Sequence, residues 1–468
     1  MAFYGREHEL KQFQDFFQRT DPNLAVVFGR RRIGKSELIK EAVRHSGLRS
    51  IYLECRQTSE AEHVELLAEL GARLLGLPGL AADKLERILD LLAQHAESES
   101  LIVVLDEYPY LRDLVKGCDS ILQGYVDRWK GKSRIKLILC GSYIDVMKGV
   151  LEYKSPLYGR AAVALQLEPM DYFEASLFYP NATLDDKVRF FSIFGGIPYY
   201  NALIDPTLSV RENILKLLSF KAFFLTNEVD MFLRSELAKI NNANLVLTAV
   251  ALGAKKFSDI LAQTRIEKSP TLADTLEHLT GMGILVKTAP INDEGNKRRI
   301  QYRIADPLVD FYFRYVFRNA SVLQVMTEAD FYESFVAADF EEQFVSKAFE
   351  EICRQYLIRR NKAGLNQPAF FRIGRYYYDL PRERRNGEFD IVTEDALGYV
   401  FYEAKFRSHP MTKRQIEEEI AQVKASPLAT ERFGFFSRSG FAEEAGSSEI
   451  VRLFTLADIY ADLIGTGV

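Results

Sequence analysis

Cysteine is scarce in this chain. Only four occur in 468 residues, Cys55, Cys118, Cys140 and Cys353. They lie far apart, and none forms a C-x-x-C pair. That excludes a zinc cluster built on paired thiolates and a disulfide framework. It suits a reducing compartment, so the expected location is the cytoplasm. The six histidines are scattered and give no basis for a His-based metal site or a Cys/His hydrolase. No apolar run approaches the ~20 residues needed to cross a bilayer, so no membrane partner is expected. The opening MAFYGREHEL puts charge ahead of any apolar stretch, which is not the order of a secretory signal. A formal net charge of −5 makes no global case for nucleic acid, and any such case has to be local. What remains is the composition of a globular protein long enough for two to four domains.

Against that background, AVVFGRRRIGKSEL from Ala25 to Leu38 stands out. Gly29, Gly34, Lys35 and Ser36 fill the pattern G-x-x-x-x-G-K-[ST]. The glycines let successive backbone N–H groups turn into one concavity. Lys35 would reach the β- and γ-phosphates of a nucleotide and Ser36 would hold Mg²⁺. The helix expected over Glu37 to Val43 adds its positive N-terminal end. The whole loop, Gly29, Arg30, Arg31, Arg32, Ile33, Gly34, Lys35, Ser36 and Glu37, is the candidate ATP cradle. The three arginines either face phosphate or are simply solvated. The plainer reading of the stretch is an ordinary Gly-rich strand-to-helix turn.

A phosphate cradle needs a second strand that ends in carboxylate. LIVVLDEYPYL supplies one. Leu101 to Leu105 is a continuous apolar run, as expected of a parallel strand buried on both faces. Asp106 would hold Mg²⁺ and Glu107 would polarise the attacking water. A third strand, Ile135 to Cys140, ends at Gly141-Ser142, where Ser142 is placed to sense the terminal phosphate. Farther on, Arg160 either stabilises charge on the transferred phosphoryl group or is a surface arginine.

These pieces, FYGREHEL, GRRRIGKS, VLDEYPYL, LCGSYID, LYGR and GGIPYY, fall in an order that resembles the archaeal-type AAA+ ATPases, close to the signal-transducing branch of P-loop ATPases. The resemblance spans roughly residues 1–320. It implies an ATP- and Mg²⁺-dependent ATPase, with Phe3–Leu10 near the adenine and a small helical lid from about Asp171 to Ile240. The aromatic stretches DYFEASLFYP and FKAFFLTNEVDMFLRSEL read as core.

From residue 241 the pattern becomes short helices: LVLTAVALG, FSDILAQT, and SPTLADTLEHLTGMGIL with Leu272, Leu276 and Leu279 at helical spacing. Ser269-Pro270 starts the last of them. Ile284–Lys287 and Arg299–Ile304 read as two strands around the turn NDEGN, giving a winged helix-turn-helix. The helix expected to read DNA offers Lys268 but also Asp274 and Glu277. The wing offers Lys297, Arg298, Arg299 and Arg303. DNA contact and a structural or protein-docking role both stay open.

The last third carries D-x(12)-E-x-K. Phe389–Val392 and Gly398–Glu403 are expected as a hairpin around TEDAL. Strands lie ~5 Å apart, so Asp390 and Glu403 can share one Mg²⁺. Glu403 and Lys405 point to one face, and Lys405 would stabilise the attacking hydroxide or the transition-state charge. A helix glutamate would complete the site, Glu350 ahead of Glu341 or Glu342. A solvated hairpin charge pair fits the same spacing. Together with GRYY before the acidic strand, the segment resembles the PD-(D/E)XK nuclease fold. Nine Lys/Arg stand against Asp379 and Glu383 between Arg354 and Arg385, a local excess suited to a phosphate backbone.

The expected fold class is therefore α/β: a P-loop NTPase parallel sheet (1–170), a helical lid (171–240), a winged helix-turn-helix (241–320) and a C-terminal α/β restriction-endonuclease-like domain (321–468). The leading expectation is an ATP-driven switch fused to a Mg²⁺-dependent DNA nuclease. The alternative is a regulatory ATPase whose last domain binds DNA or a protein without cutting. A homo-oligomer also stays open. An inert scaffold is disfavoured by the intact Lys35, Ser36, Asp106 and Glu107.

Overall fold

Five strands that are apolar where the chain must be buried on both sides form one parallel sheet. They are β1 Leu24–Phe28, β2 Arg49–Glu54, β3 Leu101–Asp106, β4 Ile135–Gly141 and β5 Ala161–Gln166, in the order β2-β3-β4-β1-β5. Every residue of β1, β3 and β4 is buried, which is what continuous apolar runs demand of a parallel sheet. The computed structural model describes residues 3–19, 23–77, 80–218, 242–383 and 385–462. The chain divides into two compact units, residues 1–170 with 197–202 and residues 171–196 with 203–468. The stretch FKAFFLTNEVDMFLRSEL, and with it the distal part of the expected lid, lies outside the described residues.

In the first unit, helices cover the sheet with apolar faces at helical spacing. The helix Leu85–His95 buries Leu85, Ile88, Leu89 and Leu92, positions i, i+3, i+4 and i+7 of one stripe. The helix Glu60–Leu75 starts at Ser59, whose hydroxyl accepts from the Glu62 N–H at 3.2 Å, a cap for one of the orphan donors. Parallel packing brings the carboxyl ends of β1, β3 and β4 together. Those ends carry Gly29, Asp106 and Gly141-Ser142, and such ends are where open α/β sheets bind ligands.

The second unit begins with a capping box, in which Asp171 and Glu174 exchange side-chain and backbone bonds. The helix Leu184–Phe194 follows. Three helices, Ala243–Ala251, Phe257–Thr264 and Ser269–Gly281, then precede an antiparallel pair, β6 Leu285–Thr288 and β7 Gln301–Ile304. Leu272, Leu276 and Leu279 are all buried. Arg299, expected to open the second strand, instead ends a short 3-10 turn Lys297–Arg299, in which Asn296 caps the Arg298 N–H at 3.1 Å.

The same unit ends in a mixed sheet of order β12-β11-β10-β9-β8. Its strands are β8 Phe370–Leu380, β9 Arg385–Asp395, β10 Gly398–Lys405, β11 Phe433–Ser437 and β12 Val451–Thr455. β9 runs well beyond the expected Phe389–Val392 because it pairs antiparallel with β8 along its length. The turn to β10 is correspondingly tight, with Asp395 opposite Gly398. The loop between β6 and β7 lies along the outer strand β8. The Ile291 N–H donates to the Arg375 carbonyl at 2.8 Å. The Asn292 amide donates to the Tyr377 carbonyl at 2.7 Å and accepts from the Tyr377 N–H at 3.0 Å. That loop covers an edge that would otherwise offer unpaired backbone groups.

β10 and β11 come close at Gly434, the register partner of Tyr402. A Cβ there would overlap the buried Tyr402 ring. Gly434→Ala is expected to destabilise the second unit by ~1–3 kcal/mol, the usual cost of overpacking. Denaturant unfolding would show it, and an unchanged midpoint would mean the ring can move aside.

Candidate functional site

The phosphate cradle is set by two glycines. Gly29 has φ 155° and Gly34 has φ 90°. A Cβ on Gly29 would stand 2.6 Å from the Leu167 carbonyl oxygen, so no larger residue fits that approach. Gly34 caps the helix Lys35–Ser46, which puts the first turn of N–H groups at the end of β1, as an anion site requires. Lys35 is buried, and its Nζ donates to the carbonyls of Gly29 and Arg30, both at 3.0 Å. Burial holds its pKa below the ordinary lysine value.

Ser36 and Asp106 meet across the sheet end. The Ser36 hydroxyl donates to Asp106 Oδ2 at 2.7 Å, the Tyr52 hydroxyl donates to the same oxygen, and the Glu107 N–H donates to Oδ1 at 3.0 Å. Burial acts to raise the Asp106 pKa. Hydrogen bonds from Cys140, Tyr52, Ser36 and the Glu107 backbone outweigh it, so the carboxylate sits below its ordinary value and stays charged. A hydroxyl and a charged carboxylate side by side are the hard oxygen donors that Mg²⁺ takes, so these residues fit that ion.

Glu107 has φ 51° and caps the helix Tyr108–Leu114. Its carboxylate accepts from the Ser142 hydroxyl at 3.0 and 2.9 Å and from the Ser142 N–H at 3.3 Å. Ser142, expected at the terminal phosphate, thus holds the carboxylate expected to polarise water.

The remaining loop residues separate. Ile33 is buried. The Arg32 guanidinium lies 4.1 Å from the Tyr199 ring centroid, and Arg31 donates to the Tyr143 hydroxyl at 3.4 Å. Glu37 is exposed and pairs with Lys40 at 2.9 Å. Arg160 makes a two-pronged pair with Asp127 at 2.9 and 2.8 Å and donates to the Pro156 carbonyl at 2.9 Å. None of these Arg160 partners belongs to the cradle. Arg6, buried and at φ 62°, donates to the carbonyls of Glu168 at 2.7 Å and Ile33 at 3.4 Å. It ties the N-terminal segment to the loop. Arg6 lies within FYGREHEL, the segment expected near the adenine, whereas Tyr52 belongs to no nucleotide motif, so spacing alone did not single it out.

The second unit holds the acidic strands. The register Tyr402↔Ile391 continues toward Glu403 beside Asp390. Lys405 Nζ pairs with Glu403 at 2.5 Å and with Glu419, on the helix Lys413–Lys424, at 3.0 Å. Burial raises the pKa of Asp390 and of Glu403. Burial and then the Asp390 charge push Glu350 up to about 8. Beside them, Glu388 accepts from Arg375 at 2.7 Å and from Gln301 at 2.8 Å. Among the described residues no group of three or more His, Cys, Asp or Glu is gathered so as to hold a metal ion. Asp390 and Glu403, the pair expected to share Mg²⁺, lie on neighbouring strands with Lys405 between Glu403 and Glu419. The ammonium of Lys405 already occupies Glu403.

Residues 3–203 match a family described as an ATPase domain predominantly from Archaea, and residues 312–420 match a family of archaeal and bacterial proteins of unknown function. The chain is 28% identical over 421 residues to an uncharacterized protein of Methanocaldococcus jannaschii, covering 86% of this chain and 88% of that one. The Walker-type ATPase of Pyrococcus abyssi is similar in fold, with a TM-score of 0.51 at 20% identity, covering 67% of this chain and 96% of that one. The ORC2 protein of Aeropyrum pernix aligns with a TM-score of 0.45 at 13% identity, covering 70% and 95%. The match to the archaeal ATPase domain family takes in nearly all of the first unit. Among the described residues no helix is long and apolar enough to cross a membrane.

Two outcomes are expected here. Lys35→Ala should abolish nucleotide binding or hydrolysis, measured by ATP titration and phosphate release; wild-type affinity in that variant would sink the cradle assignment. The second concerns Glu350. Between an ordinary glutamate near 4.5 and its folded value of about 8, the folded protein holds a proton that the unfolded chain has lost. Stability therefore falls as pH rises through that window. Glu350→Gln keeps its hydrogens at every pH. From pH 5 to 8.5, wild type should lose at least ~1 kcal/mol more stability than the variant, less than one pKa unit's worth of linkage. Parallel pH profiles would show that Glu350 is not buried among like charges.

Proposed function

We propose that the protein is an AAA+ type ATPase that binds and hydrolyses ATP with Mg²⁺ and uses the nucleotide state to control a C-terminal domain acting on DNA. The observation that carries the first half is the Asp106 junction, where Ser36 at 2.7 Å and the backbone of Glu107 meet one charged carboxylate. Gly29, Gly34 and the helix end at Lys35 bind the phosphates, and Lys35 exchanges loop carbonyls for phosphate oxygens. Ser36 and Asp106 would hold Mg²⁺, which offsets the phosphate charge. Glu107, released by Ser142, takes a proton from the attacking water. Glu107→Gln should retain ATP but hydrolyse it at least ~100-fold more slowly, as loss of a general base does. Hydrolysis at the wild-type rate would remove Glu107 from that role.

For the second half, binding to DNA is favoured over cutting it. The support is the Lys405 ammonium on Glu403 and Glu419. The helices Ala243–Ala251 to Ser269–Gly281 with β6 and β7 suit a winged helix. Within its wing, Arg299 lies 3.7 Å from the Tyr377 ring centroid and pairs with Asp379 at 3.4 Å, and Arg303 pairs with Glu351 at 3.6 Å. Lys297 and Arg298 are the exposed cations of the loop. Replacing both with Ala should weaken binding to any duplex and lower the salt slope of log K by ~2, one per phosphate contact. An unchanged slope would move the DNA surface elsewhere.

A nuclease is the second reading. It keeps the support of three carboxylates, Glu350, Asp390 and Glu403, whose pKa values burial raises, with the Asp390 charge adding to the rise at Glu350 and Glu403. Incubating plasmid and single-stranded DNA with Mg²⁺ or Mn²⁺, with and without ATP, separates the two. Cleavage lost in both Asp390→Ala and Glu403→Ala would establish the nuclease, whereas no cleavage by wild type leaves the binding module.

A further inference from the structure

Tyr52 lies outside every nucleotide motif, yet it touches the residue on which the ATPase site turns. β2 pairs in parallel with β3, with Tyr52 opposite Val104 and Glu54 opposite Asp106. Side chains alternate along a strand, and Ile51 and Leu53 are the buried members of β2. Tyr52 therefore shares the Asp106 face and stands on the diagonal from it. Cβ atoms on such a diagonal are ~7–8 Å apart, within reach of an aromatic side chain and beyond that of a short one. The tyrosine hydroxyl spans the gap and donates to Asp106 Oδ2.

We propose that Tyr52 is a positioning residue for the magnesium carboxylate. It fixes the rotation of Asp106 so that the carboxylate meets the ion in one orientation. An aspartate χ2 torsion is broad and roughly two-fold, so a carboxylate held at one oxygen still swings. Here three directions hold it: the helix Lys35–Ser46 through Ser36, β2 through Tyr52, and its own strand end through the Glu107 N–H. Ser36 has a second task, since its oxygen is a candidate ligand of the ion. The Tyr52 hydroxyl donates to this carboxylate, and its ring is half-buried with the Lys40 ammonium 5.7 Å from the centroid. Partners of this kind typically change metal affinity 10–100-fold when removed.

The proposal rests on the ATPase reading, and its test separates the two. A fluorescent ATP analogue is titrated into wild type and Tyr52→Phe in EDTA, and then at fixed nucleotide across a Mg²⁺ series, with ATP hydrolysis followed in parallel. Tyr52→Phe keeps the ring and removes only the hydroxyl. Its metal-free nucleotide affinity should stay within about two-fold of wild type, while the Mg²⁺ concentration for half-effect rises about 10-fold. At saturating Mg²⁺ the hydrolysis rate should recover most of the wild-type value. The Ser36→Ala/Tyr52→Phe double variant should shift the Mg²⁺ midpoint by less than the product of the single shifts, because both donors act on one oxygen. An unchanged midpoint in Tyr52→Phe overturns the proposal. So does an equal loss of metal-free binding, which would mark Tyr52 as a packing residue. Wild type that binds no nucleotide in either condition would sink the ATPase reading itself.

Discussion

The hydrogen bond between Ser36 and Asp106 is the constraint on which the first unit's chemistry depends. It joins the first turn of one helix to the end of a buried strand, two pieces 70 residues apart in the chain. Nothing local brings them together. Only the parallel sheet does, by placing β1 and β3 on either side of β4 with their carboxyl ends aligned. The strands are buried throughout, so a register slip would carry apolar side chains out of the core. The same alignment places Ser142, at the end of β4, on Glu107. Fixing the sheet fixes all four groups at once.

The hold on Glu107 bears on the base role proposed for it. Glu107 sits at positive φ, outside the comfortable region for a side chain with a Cβ, and its carboxylate is engaged by both the hydroxyl and the N–H of Ser142. A carboxylate with three donor contacts is a poor base until one of them leaves. A terminal phosphate offers Ser142 a more highly charged acceptor. The arrangement therefore links activation of the base to the presence of the group it is to help remove, through one serine.

Much of this was legible in the sequence. Continuous apolar runs gave β1, β3 and β4 nearly to the residue, because a strand buried on both faces has no other composition open to it. The leucines 272, 276 and 279 gave one helix for the same reason. The loop glycines, Lys35 and Ser36 were legible because a phosphate cradle leaves few alternatives at each position. Tyr52 was not, since its role comes from a diagonal between strands and no spacing along the chain encodes it. Arg160 stayed open between a phosphate contact and a surface arginine, because a pair such as the one it makes with Asp127 leaves no mark in the spacing along the chain. The acidic hairpin lies between these cases. Strand spacing correctly put Asp390 and Glu403 on neighbouring strands, but it could not see Glu419 arriving from the helix Lys413–Lys424 to share Lys405.

That shared lysine explains why three carboxylates can crowd in the second unit. Burying like charges is costly unless they are paired or neutralised, and two devices are at work here. Lys405 bridges Glu403 and Glu419, and a Glu350 pushed up to about 8 carries its proton at neutral pH. Glu388 is held by Arg375 of the neighbouring strand β8 and, from outside the sheet, by Gln301 of β7. Since β7 and the loop before it also cover the edge of β8, the helical element and the C-terminal sheet are coupled by both backbone and charge. A divalent ion at Asp390 and Glu403 would have to displace the Lys405 ammonium and take the Glu350 proton. A phosphate backbone would meet no such competition at the exposed Lys297 and Arg298. On the function proposed above, that charge balance is the ground for preferring a surface that binds over one that cuts.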